Sequence, residues 1–176
     1  MAQSSIDFHT EHLVRILHRV STGEIRTNGD KLSGAETLGL LQHIQEGLPL
    51  GAITLGRTAN GTVEILHGAA LINTLVSVFT PPKEETGPVM CLDLKDNRFV
   101  VAVGGRNTLV PIWVLLRPRQ QYQYEHALKA EGHPALAEAM DAIGWRFKDY
   151  PLALITHYGS AEDHCKTAAW MGRLRG

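Results

Sequence analysis

Apolar and polar residues alternate most clearly near the middle of the chain. Two runs rich in β-branched and aliphatic residues, 52–55 and 62–66, flank an Asn60-Gly61 dipeptide, which is expected to supply the positive φ that hairpin turns require. After Gly68 the apolar residues recur at helical spacing until Pro81-Pro82 prevents continuation. The pattern therefore predicts a hairpin followed by a helix. Gly68 is expected at the strand-to-helix turn, with free backbone N–H groups after it.

The pattern before this hairpin predicts two helices. Leu13, Ile16, Leu17 and Val20 share one face of a predicted helix over 7–20. His9 and His12 lie three apart on it, but the ligand set is incomplete, and we predict no metal site. After a short strand at 24–27, a second helix is predicted from the Ser33/Glu36 capping-box pair to a C-terminal cap at Gly47.

The second half of the chain continues the mixed pattern. Pro111 favours a connection over a central strand for residues 109–116, and a Ser160/Asp163 capping-box pattern begins the final helix. The other predicted elements are a hairpin of strands at 89–94 and 98–103, helices at 120–131 and 134–143, and a strand at 150–157.

Composition restricts the classes of function. A chain of 176 residues is the size of one domain. Its net charge of −1 disfavours a nucleic-acid-binding surface, which needs a basic face. Cys91 and Cys165 are far apart and are expected to be buried, reduced thiols. No run is long and apolar enough to span a membrane, and no signal sequence is recognised, so we expect a cytoplasmic protein.

The segment 44–50, Ile-Gln-Glu-Gly-Leu-Pro-Leu, and the segment 65–75, Ile-Leu-His-Gly-Ala-Ala-Leu-Ile-Asn-Thr-Leu, carry a family resemblance. Together with the hairpin between them, they resemble the N-terminal domain of GmrSD-type restriction endonucleases, a branch of the ParB/sulfiredoxin-like superfamily. In that family a helix ending I-x-x-G-x-P-I/L leads through two strands to D-G-Q-Q-R-L-x-T-L, whose polar residues handle a nucleoside triphosphate. The resemblance implies an α+β, ParB/sulfiredoxin-like single domain over 1–176, with a small mixed sheet packed with helices.

The polar residues of that motif are replaced here. His67 stands in place of the aspartate, Ala69 and Ala70 in place of both glutamines, and Leu71 in place of the arginine, whereas Gly68, Thr74 and Leu75 are retained. Alanine has no hydrogen-bonding side chain, and leucine cannot pair with phosphate as a guanidinium does. Nucleotide hydrolysis by the family's mechanism is therefore expected to be lost, and no cofactor is expected.

Two functions stay open at this point. The first is a non-catalytic binding or assembly module with a protein or peptide partner. The second is an enzyme that uses His67 as general acid or base, with Glu64, Asn73 and Thr74 as helpers; the simpler interpretation of His67 is a ring hydrogen-bonded to a backbone carbonyl.

The residues around His67 define the expected pocket. Ala69, Ala70 and Leu71 would line it and suit an apolar small molecule, in a deep cavity with His67 at its mouth. Arg106, after a glycine pair, is a candidate phosphate ligand, although a simple turn explains that pair more economically. The sequence leaves the existence of any catalysis and the oligomeric state open.

Overall fold

A computed structural model describes residues 5–82, 88–102 and 108–173, with side chains to Met171. It is a mixed α+β protein, as predicted, in two compact units. The first unit comprises Met1–Leu32, Leu50–Val76 and Pro151–Gly176, and the second comprises Ser33–Pro49 and Ser77–Tyr150. Compact units can belong to one folding domain, so the expectation of a single domain stays a prediction.

A five-stranded mixed sheet organises the first unit. In spatial order its strands are β1 (Ser5–His12), β8 (Pro151–Tyr158), β3 (Ala52–Arg57), β4 (Val63–His67) and β2 (Ile25–Arg26). The β1–β8 and β3–β4 pairs are antiparallel, and the β3–β8 and β2–β4 pairs are parallel. The predicted strands at 24–27, 52–55, 62–66 and 150–157 are therefore confirmed in their essentials.

The two faces of this sheet differ in chemistry. The core face carries the buried side chains of Ile53, Leu55, Ile65, Leu152 and Leu154. Strand register places Gly56, Glu64 and His157 in one row on the opposite face. The helices of this unit are α1 (Leu13–Ser21), α3 (Ala69–Phe79), whose last turn belongs to the second unit, and α6 (Ala161–Arg173), which packs against the row that contains Gly56.

The N-terminal prediction was partly wrong. Residues 7–12, predicted as helix, belong to β1, and the helix begins only at Leu13. The helical period starts at Leu13, whereas Ile6, Asp7, Phe8 and His9 alternate with the period of a strand and pair with β8 over its whole length. His9 and His12 are an odd number of positions apart on a strand, so they point to opposite faces and do not form the pair that a helix would have made.

The β3–β4 turn differs from prediction in its backbone. Gly61 has φ of +85°, but Asn60 does not have the positive φ expected of it, since Asn97 is the only non-glycine with positive φ among the residues described. Asn60 stabilises the turn through its side chain instead, because its Oδ1 accepts the Thr62 N–H at 3.1 Å and the Thr58 hydroxyl. Thr58 N–H also donates to the Thr62 carbonyl at 3.0 Å.

The second unit combines a small sheet with helices. Its elements are α2 (Gly34–Glu46), β5 (Val89–Asp93), β6 (Arg98–Ala102), β7 (Leu109–Pro111), a 3₁₀ helix (Ile112–Leu116), α4 (Pro118–Ala130) and α5 (Pro134–Asp149). The sheet order is β6-β5-β7, which puts Pro111 on an edge strand. Residues 109–116, predicted as a connection and not a central strand, therefore contain a short edge strand followed by the 3₁₀ helix. Phe147 lies in the core and makes edge contacts with Phe79 and Phe99, at centroid distances of 5.5 and 5.9 Å.

Local capping signals set the limits of α2 as predicted. The Ser33 hydroxyl accepts the Glu36 N–H, and the Glu36 carboxylate accepts the Ser33 N–H at 2.8 Å. Gly47 ends the helix in the left-handed conformation, with φ of +73°. In contrast, α5 extends to Asp149, beyond its predicted end at 143.

The two cysteines have different environments. Cys91 is buried, as expected, but Cys165 is exposed on α6, which corrects the expectation that both are buried. Cys165 follows His164, which faces the sheet, and is turned away from it by about 100° around the helix. None of the helices in the described ranges has the length and apolar character that crossing a membrane requires.

Candidate functional site

The predicted site begins at the turn between β4 and α3. Gly68 lies at this turn, as the sequence predicts, and its φ is +87°. A Cβ at this position would overlap Ile53 Cδ1, which packs directly against the turn. Both the backbone conformation and the close approach of Ile53 therefore require glycine, and the retention of Gly68 has a sufficient structural reason.

Asn73 and Thr74, the predicted polar helpers, bind another segment of the protein. Asn73 Nδ2 donates to the Gly29 carbonyl at 2.9 Å, and its Oδ1 accepts the Thr27 hydroxyl at 2.8 Å. Thr74 Oγ1 accepts the Leu32 N–H at 2.8 Å and donates to the Ala70 carbonyl at 2.7 Å. These bonds attach residues 27–32 to α3.

The other predicted residues surround the same turn. His67 is half-buried at the end of β4, opposite Thr54 of β3. Ala69, Ala70 and Leu71 form the first turn of α3 and are also half-buried. Arg106 lies outside the residues that the structure describes. The catalytic role of His67, the apolar pocket and the phosphate role of Arg106 stay predictions.

Glu64 contacts a residue that the sequence had not indicated. Its Oε1 lies 3.4 Å from Nδ1 of His164 on α6. Only 1% of the His164 side chain is exposed, against 34% for Glu64. The carboxylate expected to assist His67 thus faces a different, buried imidazole.

Two histidines meet beneath α6. The rings of His157 and His164 pack edge to face with centroids 5.5 Å apart. Neither ring nitrogen of His164, nor Nδ1 of His157, makes a hydrogen bond within the described part of the chain. His164 reaches the sheet because position 56 is glycine, since a Cβ there would lie 2.7 Å from its Nδ1.

Helix capping fixes this end of α6. Asp163 Oδ2 accepts the Ser160 N–H at 3.0 Å and the Ser160 hydroxyl at 2.7 Å. These two bonds, with smaller contributions from Lys166 and His157, lower the pKa of the Asp163 carboxyl. The capping box predicted from Ser160 and Asp163 is confirmed, and it holds His164 one residue further along the helix.

Glu64, His157 and His164 form a cluster between the sheet and α6. Its chemistry is limited because a substrate has little access to it. A ring as deeply buried as that of His164 cannot touch a substrate, so a direct role in general acid–base catalysis is disfavoured. No group of three or more His, Cys, Asp or Glu side chains in the described ranges is arranged to hold a metal ion. The cluster is best explained as the packing that joins α6 to the sheet.

No local signal in the sequence indicates this cluster. His157 belongs to a strand and His164 to a helix, so no single periodicity relates them. Glu64 comes from a distant part of the chain. Only the pairing of β8 with β3 and of β3 with β4 brings the three together.

A surface cleft of about 580 Å³ lies near this end of α6. It is formed by the β3–β4 turn and the β8–α6 connection, and its lining residues are Arg57, Thr58, Ala59, Asn60, Tyr158, Gly159, Ser160 and Ala161. None of the residues predicted to form the pocket around His67 belongs to this lining.

β1, one of the two edge strands of the five-stranded sheet, has an unusual surface. β1 pairs with β8 on one side, and its residues are exposed apart from the half-buried Glu11. Phe8 is 72% exposed and Ile6 is 57% exposed. Strand alternation places Ile6, Phe8 and Thr10 on one face, whereas Asp7, His9 and Glu11 lie on the other.

Comparison with protein-family models, curated proteins and solved structures finds no match.

Proposed function

We propose that this chain is a non-catalytic binding or assembly module, derived from a nucleotide-handling domain of the ParB/sulfiredoxin-like class. The order of elements supports this descent. Helix α2 ends at Gly47, and β3, β4, Gly68 and α3 follow it in the order that the GmrSD-type resemblance implies. The retained residues are those that pack or turn the chain, and the replaced ones are those that would hold a triphosphate.

The observation that carries the proposal is the set of hydrogen bonds made by Asn73 and Thr74. The Asn73 amide and the Thr74 hydroxyl bind residues 27–32 and the backbone of α3. Phosphate ligands need donors directed at the ligand. A side chain already bonded to its own protein must break those bonds before it can bind a nucleotide, and that cost is not offset by the alanines and leucine beside it.

The alternative, an enzyme with His67 as general acid or base, has less support. Its predicted carboxylate helper, Glu64, lies 3.4 Å from His164. A general base needs a partner that orients it and a substrate position within reach. Substitution of His67 by Gln, with no change in any function later found for the purified chain, would remove this alternative.

A cytoplasmic location is also part of the proposal. The exposed free thiol of Cys165 suits a reducing compartment, because exposed thiols are oxidised elsewhere. Within that compartment we propose a protein or peptide partner, not a nucleic acid, since a net charge of −1 disfavours a strongly basic face.

Nucleotide binding tests the proposal directly. The purified chain would be melted with and without about 5 mM ATP or GTP plus magnesium, because a ligand that binds the folded state must raise its melting temperature. We expect no shift and no phosphate release. A nucleotide-dependent shift or hydrolysis would overturn the proposal.

A variant that restores the family's motif provides the matched control. It combines His67→Asp, Ala69→Gln, Ala70→Gln and Leu71→Arg. If the framework descends from a nucleotide-handling domain, this variant gains a shift; a ligand at 100 times its Kd stabilises by about 2.7 kcal/mol. A folded variant whose melting temperature still does not change with nucleotide would contradict the proposed descent. The non-catalytic assignment would stay intact.

A further inference from the structure

The outer edge of β1 has the features of an unprotected pairing surface. Eight residues pair in unbroken register with β8, from Ser5 opposite Tyr158 to His12 opposite Pro151. Edge strands are normally protected by proline, by charged side chains, especially lysine, by a bulge or by a short length. β1 contains neither proline nor lysine and shows no register shift, and its two acidic side chains, Asp7 and Glu11, lie on the same face. No other strand in the described residues pairs with residues 5–11 on this side, so their outward N–H and C=O groups can accept another strand.

We propose that β1 pairs antiparallel with β1 of a second copy of this chain, about a twofold axis at Phe8. This inference rests on the proposed function and names the partner of the module. The pairing would join two five-stranded sheets into one continuous sheet of ten strands. A symmetric pair of this kind is isologous, so each residue contact occurs twice.

The side chains of β1 are complementary to themselves in this register. With the axis at Phe8, each Asp7 lies opposite His9 of the other copy, and each Ile6 lies opposite Thr10. Phe8 lies opposite its own copy, which makes an aromatic cross-strand pair from a side chain that is 72% exposed in the single chain. Asp7 and His9 already lie close, with Oδ2 and Nδ1 3.7 Å apart, so the four polar groups would form one cluster.

Neighbouring registers lack this complementarity. A twofold axis normal to the sheet keeps each face of the sheet on its own side. The axis must therefore pass through a residue position, and the neighbouring registers have it at Asp7 or at His9. With the axis at His9, each Asp7 would lie opposite Glu11, placing like charges together twice. With the axis at Asp7, that carboxylate would lie opposite its own copy. Among these three registers, charge complementarity favours the one with the axis at Phe8.

The expected association is weak and dependent on concentration. Strand pairing over about seven residues is a small interface, below the roughly 1,200 Å² of stable complexes. Sedimentation velocity at protein concentrations from roughly 10 to 500 µM should show a monomer–dimer equilibrium in that range.

Charge reversal tests the register. His9→Asp would place one carboxylate opposite each of the two Asp7 side chains and should weaken association by about tenfold or more. The double variant Asp7→His with His9→Asp exchanges the two groups and should recover it. Phe8→Lys should also weaken association, whereas Tyr122→Lys, at an aromatic residue 67% exposed on α4, is the matched control and should leave it unchanged.

Cross-linking locates the axis independently. In a Cys165→Ser background, Phe8→Cys places two thiols opposite each other at about 4.5–5.5 Å between Cα atoms, within disulfide range. Ile6→Cys, on the same face, places them about 13 Å apart and should not cross-link. Circular dichroism would verify that each variant folds.

The outcomes separate the inference from the function on which it rests. A dimer that cross-links through Phe8→Cys and loses affinity with His9→Asp supports the inference. A monomer at every concentration, a dimer unaffected by Phe8→Lys, or equal cross-linking at position 6 overturns it. None of those results bears on nucleotide binding. The non-catalytic function is overturned only by a nucleotide-dependent shift or by hydrolysis.

Discussion

The His164 ring lies directly over the Gly56 backbone, so close that a Cβ at position 56 would fall 2.7 Å from Nδ1 and 2.9 Å from Cε1. Because Gly56 carries a hydrogen atom in place of a Cβ, α6 can approach β3 this closely. His164 is also held by the neighbouring His157 ring, so it has little freedom to move away.

Gly56→Ala should destabilise the protein by about 1–3 kcal/mol, because the added methyl overpacks a buried contact. Urea denaturation measures the change. Gly39→Ala is the matched control, since nothing lies within 4 Å of a Cβ there and position 39 is inside α2. That substitution should stabilise by about 0.5–1 kcal/mol through helix propensity. Equal effects of the two substitutions would contradict the described packing of His164.

Gly68 and Ile53 form a second close pair that can be tested by a double-mutant cycle. Gly68→Ala adds a Cβ at φ of +87° and against Ile53 Cδ1, so it should cost about 1–3 kcal/mol. Ile53→Val removes that terminal carbon. The cost of Gly68→Ala should therefore be smaller in the Ile53→Val background. An unchanged cost would show that the backbone conformation alone requires the glycine.

The capping boxes of α2 and α6 predict two similar losses of stability. Ser160→Ala removes the hydroxyl that accepts the Asp163 N–H at 3.2 Å, and Ser33→Ala does the same for Glu36. Each should lower the free energy of unfolding by about 1 kcal/mol in chemical denaturation. Ser21→Ala is a suitable comparison, because the exposed Ser21 hydroxyl donates only to a backbone carbonyl in the last turn of α1. It should lower the free energy of unfolding by less.

Acid should weaken the α6 cap in a defined window. The pKa of Asp163 is lowered by the Ser160 hydroxyl and N–H, so its native pKa lies below the unfolded value of about 3.9. The carboxylate therefore stabilises the fold above that value and loses this contribution as pH falls through the native pKa. Unfolding measured against pH should show that wild type and Asp163→Asn differ near neutrality and converge once the pH falls below the native pKa of Asp163. A constant difference would exclude the charge as the cause.

The two cysteines should react at different rates with a disulfide reagent. Cys165 is exposed, whereas Cys91 is buried, and burial raises the pKa of the Cys91 thiol. Each unit of raised pKa lowers the reactive thiolate about tenfold at a given pH. We expect one fast equivalent in the native protein, absent in Cys165→Ser, and a second only after unfolding. Two fast equivalents would contradict the burial of Cys91.

Local signals in the sequence predicted the elements well. Ser33, Glu36 and Gly47 fix α2 by bonds within a few residues, and Ser160 with Asp163 does so for α6. The helix predicted over 7–20 is too long because the apolar helical period begins only at Leu13, whereas residues 7–12 belong to β1. That strand is defined by its pairing with β8, which comes from the other end of the chain.

The site was harder to predict because side-chain partners depend on topology. Glu64 was expected to assist His67, three residues along the same strand. Its partner His164 reaches it only because Gly56 lets α6 approach the sheet. Likewise, the bonds of Asn73 to Thr27 and Gly29 depend on where residues 27–32 pass, which no local pattern indicates.

The position of β8 between β1 and β3 has a consequence for synthesis on the ribosome. β8 is the last of the described strands in chain order, so β1 and β3 emerge long before the strand that separates them. Throughout elongation both strands display open edges, the state most prone to wrong pairing. The first unit can therefore complete its sheet only after β8 has emerged and inserted between β1 and β3.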